Sequence, residues 1–352
     1  MAAVAEAQKF KGTPGQIRRQ RIERIGAITI TLILAIWIIV NIIHSPQQFA
    51  QVTVLGLRNG LLYALIALGY TLVYGIIELI NFAHGDLFML SAVFSSYFIT
   101  VWFKQEESNP RGWLIFISCL FSVMVFGAVI NVLIERLAYR RLRKAPKLAP
   151  LITAVGMSFL LNFIGLKWNG STPRQWPTVI PDNDIVIAGV EISMITILLF
   201  VVGIPLLLGL NYIVNETKNG KAMRATAQDK DAATLMGINV NKTIAFTFAI
   251  GGAMAGAAGL LYQQSIGTTS YNLGFQLGLI AFTSAVLGGI GNLWGAVVGA
   301  LLIGLIQGLN DGLPIAFGQQ WSQSVVFTIL IIILVFKPAG LLGKVKIGRA
   351  HV

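Results

Sequence analysis

The chain has 352 residues, of which 55% are hydrophobic and only 11% charged. A soluble globular chain typically carries about 25% charged residues, so this composition excludes an ordinary water-soluble domain and points to lipid as the main solvent. The formal net charge is +12, from 26 Lys and Arg against 14 Asp and Glu; the basic residues cluster between apolar runs, which argues against a nucleic-acid surface and for a membrane protein oriented by its charges.

The chain opens with a basic arm, residues 1–24, carrying Lys9, Lys11, Arg18, Arg19, Arg21 and Arg24. An apolar run, "IGAITITLILAIWIIVNII" at 25–43, follows. At 1.5 Å per residue it crosses the ~30 Å of hydrocarbon. It is long for a signal-peptide core and no A-x-A site follows, so it reads as a first span with the N-terminus inside.

Nine further apolar segments follow, at about 50–77, 86–103, 112–134, 148–168, 192–213, 243–265, 276–290, 294–310 and 322–337. The expected fold is an all-α polytopic helix bundle of about ten transmembrane segments. The segments at 276–290 and 294–310 are short and joined by "GGIGNLWG". They read as a tight hairpin or as half-helices that do not fully cross, so one or more helices are broken or re-entrant. The charges between segments test the count. Basic stretches lie at 136–147, at 218–242 and in the tail after Lys337. Alternation through ten spans from an inside start puts all three on the cytoplasmic side.

The lone Cys119 lies in an apolar run, which excludes a disulfide framework. His44, His84 and His351 are far apart and lack zinc-ligand spacing. No metal or cofactor site is expected. Glycine is abundant, at 37 residues; Gly252-x-x-x-Gly256 and Gly295-x-x-x-Gly299 suit close helix packing, and Gly288-Gly289 suits a helix break.

Polarity concentrates at "ELINFAHGDLF", residues 78–88. Two readings stand. In one this is a short turn, with Asn81 and Asp86 capping helices and Gly85 bending the chain. In the other, Glu78, Asn81, His84, Gly85 and Asp86 mark a helix break beside a translocation path, where ionisable groups are tolerated in a membrane. His84 and Asp86, two residues apart, fall on different faces of a helix and suit no acid–base pair.

There is no GxxxxGK[ST], HExxH or GxSxG, so no enzyme with its own ATPase or nucleophile motif is expected. Energy must arrive from elsewhere. A compact knob in the basic loop 215–242 offers the place: Asp231, Ala232 and Ala233 favour a short helix, and Gly237 can end it at positive φ.

The runs "NGLLYALIALGYTLVYGIIELINFAHGDLFML", "AMRATAQDKDAATLMGINVNKTIAFTFAIGGAMAGAAG", "GLIAFTSAVLGGIGNLWGAVVGALLIGLIQ" and "FKPAGLLGK" resemble the permease subunits of bacterial ABC importers for branched-chain amino acids. The resemblance spans about residues 55–343. It implies a multi-pass inner-membrane protein with cytoplasmic termini. It further implies a second homologous permease, two ATP-binding subunits holding ATP and Mg, and an external solute-binding protein. It assigns the coupling loop to Asp231, Ala232, Ala233 and Gly237, where ABC permeases generally show E-A-A-x-x-x-G; Asp231 replaces the Glu, and the usual Leu-Pro pair is absent. Related permeases carry neutral or hydrophobic amino acids, urea or short amides, and an ion-coupled transporter is the rival class. The expected division is the arm 1–24, an extra helix 25–43, a permease domain 50–338 and a tail 339–352.

Overall fold

A computed structural model describes residues 35–343 and Leu32, apart from 105–111, 144, 147, 177–178, 181–183 and 188. The basic arm 1–24, the start of the expected first span, Lys144, Lys147, Asp182 and the tail from Lys344 lie outside the described residues.

Twelve helices account for nearly all regular structure among the described residues, because a chain in hydrocarbon must satisfy its backbone within each segment. In chain order they are α1 (Ala35–His44), α2 (Pro46–Ile77), α3 (Ala83–Trp102), α4 (Gly112–Leu142), α5 (Leu148–Asn169), α6 (Met194–Glu216), α7 (Lys218–Gln228), α8 (Lys230–Leu235), α9 (Val240–Ile266), α10 (Leu273–Gly288), α11 (Leu293–Gly312) and α12 (Ser322–Phe336). Phe98–Trp102 of α3 and Glu135–Tyr139 of α4 are π-helical. Each of the ten apolar segments expected from sequence carries a helix. Among the described residues eight are long and apolar enough to cross a membrane, α12 together with the 3-10 turn before it; α10 is shorter, and α1 is described only from Ala35. At 16 residues, α10 extends about 24 Å, short of the ~30 Å core. It ends at the Gly288-Gly289 pair, where Gly289 has φ 105°.

Burial divides the bundle into a centre and a rim. In α2, 89% of the apolar window is buried, against 11% in the span ending at Phe336. Helices α2, α3 and α9 form the centre, while α4, α5, α6 and α12 turn apolar faces outward, as Phe121, Phe159, Val201 and Ile331 show. Backbone proximity holds the centre together. A Cβ on Gly56 of α2 would sit 2.9 Å from the Gly304 carbonyl of α11, and one on Gly60 would sit 2.8 Å from Leu301 Cα. The Gly252/Gly256 pair seats α9 in the same way against Gly127 and Val123 of α4. Such contact supplies dispersion where lipid gives helices no hydrophobic drive to associate.

Among the described residues there are two small sheets: β1 (Arg174–Gln175) pairs antiparallel with β4 (Thr268–Thr269), and β2 (Asp184–Ile187) with β3 (Val190–Ser193). The first ties the long 170–193 connection to the end of α9. At the other end of α9, Arg143 donates to Asn241 Oδ1 at 2.6 Å. The basic stretches after α4 and before α9 therefore share one end of the bundle, opposite the sheets. The break between α2 and α3 lies at that same end.

Candidate functional site

The polar stretch 78–88 is where α2 stops and α3 starts. Helix α2 closes at Glu78, which adopts a left-handed conformation (φ 58°), its N–H donating to the Tyr74 carbonyl at 2.9 Å. Positive φ is uncommon for a non-glycine residue, so the surroundings must fix it. The chain is then non-helical until Ala83. Asn81 is buried, and its side chain does not cap α3. Its Oδ1 instead accepts from the Tyr139 hydroxyl at 3.0 Å, and its amide approaches Asn131 Oδ1 at 3.5 Å.

Both partners lie on α4. Asn131, Glu135 and Tyr139 recur every four residues, which places them on one face of a helix, and all three are 2% exposed or less. Each is bonded at a different height. Asn131 donates to the Phe248 carbonyl of α9 at 2.7 Å. Glu135 accepts from Arg140 at 3.1 and 2.8 Å and from Arg143. Arg143 continues to Asn241 at the start of α9. A buried carboxylate is tolerated when paired and hydrogen-bonded, and Glu135 is both.

The remaining residues of the stretch point apart. His84 is buried against α2: its ring meets Tyr70 edge-on at 4.9 Å, and only a glycine at position 69 leaves it room. Neither ring nitrogen makes a well-aligned hydrogen bond, although the Ile66 carbonyl lies close enough to interact. Asp86 faces the other way, toward α5 and α10. Ser158 donates to its Oδ2, and Oδ1 lies beside Gly274 at the start of α10. Asp86 caps neither α3 nor α10, and Gly85 lies within α3, where a Cβ would meet Gly278 Cα at 2.8 Å. His84 and Asp86 thus form no acid–base pair.

Beside the break is a narrow, partly open recess of about 10 Å³, lined by Tyr70, Tyr74, Ile80, Phe282, Ala285 and Ile290, room for no more than about one water. Its wall is apolar. Of the break, Ile80 enters it, whereas Glu78, Asn81, His84, Gly85 and Asp86 do not line it.

The basic loop folds as two short helices. Thr217 caps α7 by accepting from Gly220 N, and Asp229 caps α8 by accepting from Asp231 N and Ala232 N at 2.9 and 3.0 Å. Helix α8 closes on Gly237 at φ 80°, with Gly237 N bonded to the Thr234 carbonyl and Ile238 N to the Ala233 carbonyl. This is the paired C-terminal closure that glycine favours. Ala233 packs inward, while Leu235 and Met236 are 88% and 82% exposed. A prominent apolar tip faces away from the bundle.

The family described as branched-chain amino acid transport system, permease component, matches residues 52–335. The chain belongs to this permease family. It is 38% identical over 314 residues to the high-affinity branched-chain amino acid transport system permease protein BraD of Pseudomonas aeruginosa, covering 88% of this chain and 99% of that one. It is 36% identical over 306 residues to the corresponding protein LivH of Escherichia coli K12, covering 86% and 97%. More distantly, it is 25% identical over 335 residues, covering 91% of this chain and 94% of the other, to the ribose import permease protein RbsC of Haemophilus influenzae. No solved structure matches.

In this permease the stripe on α4 and the cap Asp229 escape a reading that starts from dense polar clusters. The fourfold spacing of Asn131, Glu135 and Tyr139 was the available signal. Aspartate just before an alanine-containing turn was the signal for the cap.

Proposed function

We propose that the chain is one of two membrane subunits of an ATP-driven importer of branched-chain or other neutral amino acids, set in the bacterial plasma membrane with both termini cytoplasmic. The observation that carries this reading is the end-to-end similarity to permeases of branched-chain amino acid transport systems. Its partners are a second homologous permease, two ATP-binding subunits that hold ATP and Mg, and an external solute-binding protein.

In this reading α8 is the coupling element, with Asp231, Ala232, Ala233 and Gly237 shaping the knob whose Leu235–Met236 tip enters an ATP-binding subunit. The break from Glu78 through Asn81, His84, Gly85 and Asp86 backs the translocation path, and Ile80 reaches the apolar recess. The apolar lining suits contact with an aliphatic side chain and leaves the ammonium and carboxylate of an amino acid to be met elsewhere. The test is copurification of the tagged chain from its native host, with identification of what accompanies it. Recovery of an ATPase with a P-loop and a second permease is expected; recovery of the chain alone, active in ion-driven uptake, would overturn the proposal.

A further inference from the structure

We infer that the buried polar face of α4 is a strut that fixes the helix break at 78–82 to the base of α9, so that Glu135 and Tyr139 are positioning residues for transport. The strut has three joints. At its base, Arg143 joins Glu135 to Asn241, next to the Asn239 cap that starts α9 immediately after the α8 knob. Two turns along α9, Asn131 grips the Phe248 carbonyl. Between them, Tyr139 and Asn131 bracket Asn81.

The chemistry argues for a purpose beyond packing. The apolar window of this helix is among the most hydropathic in the bundle, and its seam with α9 is already made by glycine contacts at Gly127, Gly252 and Gly256. A fully buried carboxylate is a costly way to add to that seam. What Glu135 adds is direction: Arg140, five residues on, and Arg143, eight residues on, both close onto it, and Arg143 reaches α9. The π-helical turn Glu135–Tyr139, with Arg140 N bonded to the Glu135 carbonyl, sets where the tyrosine emerges; such turns frequently accompany function. Asn81, held from this side, holds its neighbour Ile80 in the wall of the recess. Displacement of the α8–α9 junction is thereby transmitted to the recess through α4.

The inference rests on the importer reading for its purpose but not for its geometry, so its test has two arms. In the first, hydrogen exchange of amides 79–84 is followed in the purified full chain in lipid nanodiscs. Tyr139→Phe, Glu135→Gln and the exposed Asn241→Ala are each expected to accelerate it about tenfold, with exchange in the α2–α11 seam unchanged. Unchanged exchange at 79–84 in Asn241→Ala and Glu135→Gln would overturn the strut. In the second arm the chain is reconstituted with its ATP-binding, permease and solute-binding partners. Asn241→Ala and Tyr139→Phe are expected to lower amino-acid uptake per ATP several-fold while ATP hydrolysis persists; an unchanged ratio would overturn the positioning role. Absence of ATP-driven uptake by the wild type would instead count against the importer reading, and the exchange arm would still decide the strut.

Discussion

The Tyr139 hydroxyl donates to Asn81 Oδ1 at 3.0 Å, both residues being 2% exposed. One is a residue on a long helix, and the other belongs to a non-helical segment between two helices. That bond ties a break with no secondary structure of its own to α4, alongside the approach of Asn131. Removing only the hydroxyl, by Tyr139→Phe, leaves the amide oxygen of Asn81 short of a donor. Hydrogen bonds of this kind contribute roughly 0.5–2 kcal/mol. A fall of a few degrees in the melting temperature of the detergent-purified protein is expected; an unchanged melting temperature would show that the bond contributes nothing.

The α2–α11 seam predicts a steeper response. A methyl added at Gly56 lands 2.9 Å from the Gly304 carbonyl oxygen and 3.0 Å from Leu305 Cα, and both neighbours are backbone that cannot rotate away. Gly56→Ala should cost about 1–3 kcal/mol, and Gly56→Leu should abolish the monodisperse peak in size-exclusion chromatography. Gly156, with nothing within 4 Å of an added Cβ, is the control at which alanine is expected to be silent.

At the α8 knob, Asp229→Ala removes the acceptor for two backbone N–H groups, worth about 0.5–2 kcal/mol of local helix stability. Faster hydrogen exchange confined to 231–236 is expected. Exchange no faster than in the wild type would mean the knob is held by packing rather than by its cap.

Gly237→Pro is more severe, because proline fixes φ near −65° and the native φ is 80°. The closure of α8 onto Ala233 and Thr234 is lost with it. Membrane insertion should be intact, since no span is touched, while ATP hydrolysis in the assembled importer should proceed without uptake. Normal uptake would place the coupling element elsewhere.

The number and placement of the helices were legible in the sequence because lipid imposes a simple rule: an apolar run of sufficient length becomes a helix. The break at 78–82 was legible as a local excess of polarity, and Gly237 as a stop for a short helix. Which neighbour each polar residue meets was not. Asn81 suits either a cap or a helix break in the sequence, and its side chain serves α4, because a partner fifty residues away, Asn131, and another fifty-eight away, Tyr139, arrive through packing. Glu135 was hidden for a similar reason. It stands in a stretch dense with arginines, and only the folded chain shows that the acid is buried and the basic residues close over it.

The central claim is that this permease carries amino acids with energy supplied by separate ATP-binding subunits. Its most direct measurement is uptake of radiolabelled leucine into proteoliposomes containing the chain, its companion permease and the ATP-binding subunits, with the solute-binding protein outside and ATP inside. Accumulation that requires both ATP and the binding protein, with ribose and urea excluded, is the result expected. Leucine accumulation by the chain alone, driven by an ion gradient without ATP, would contradict it.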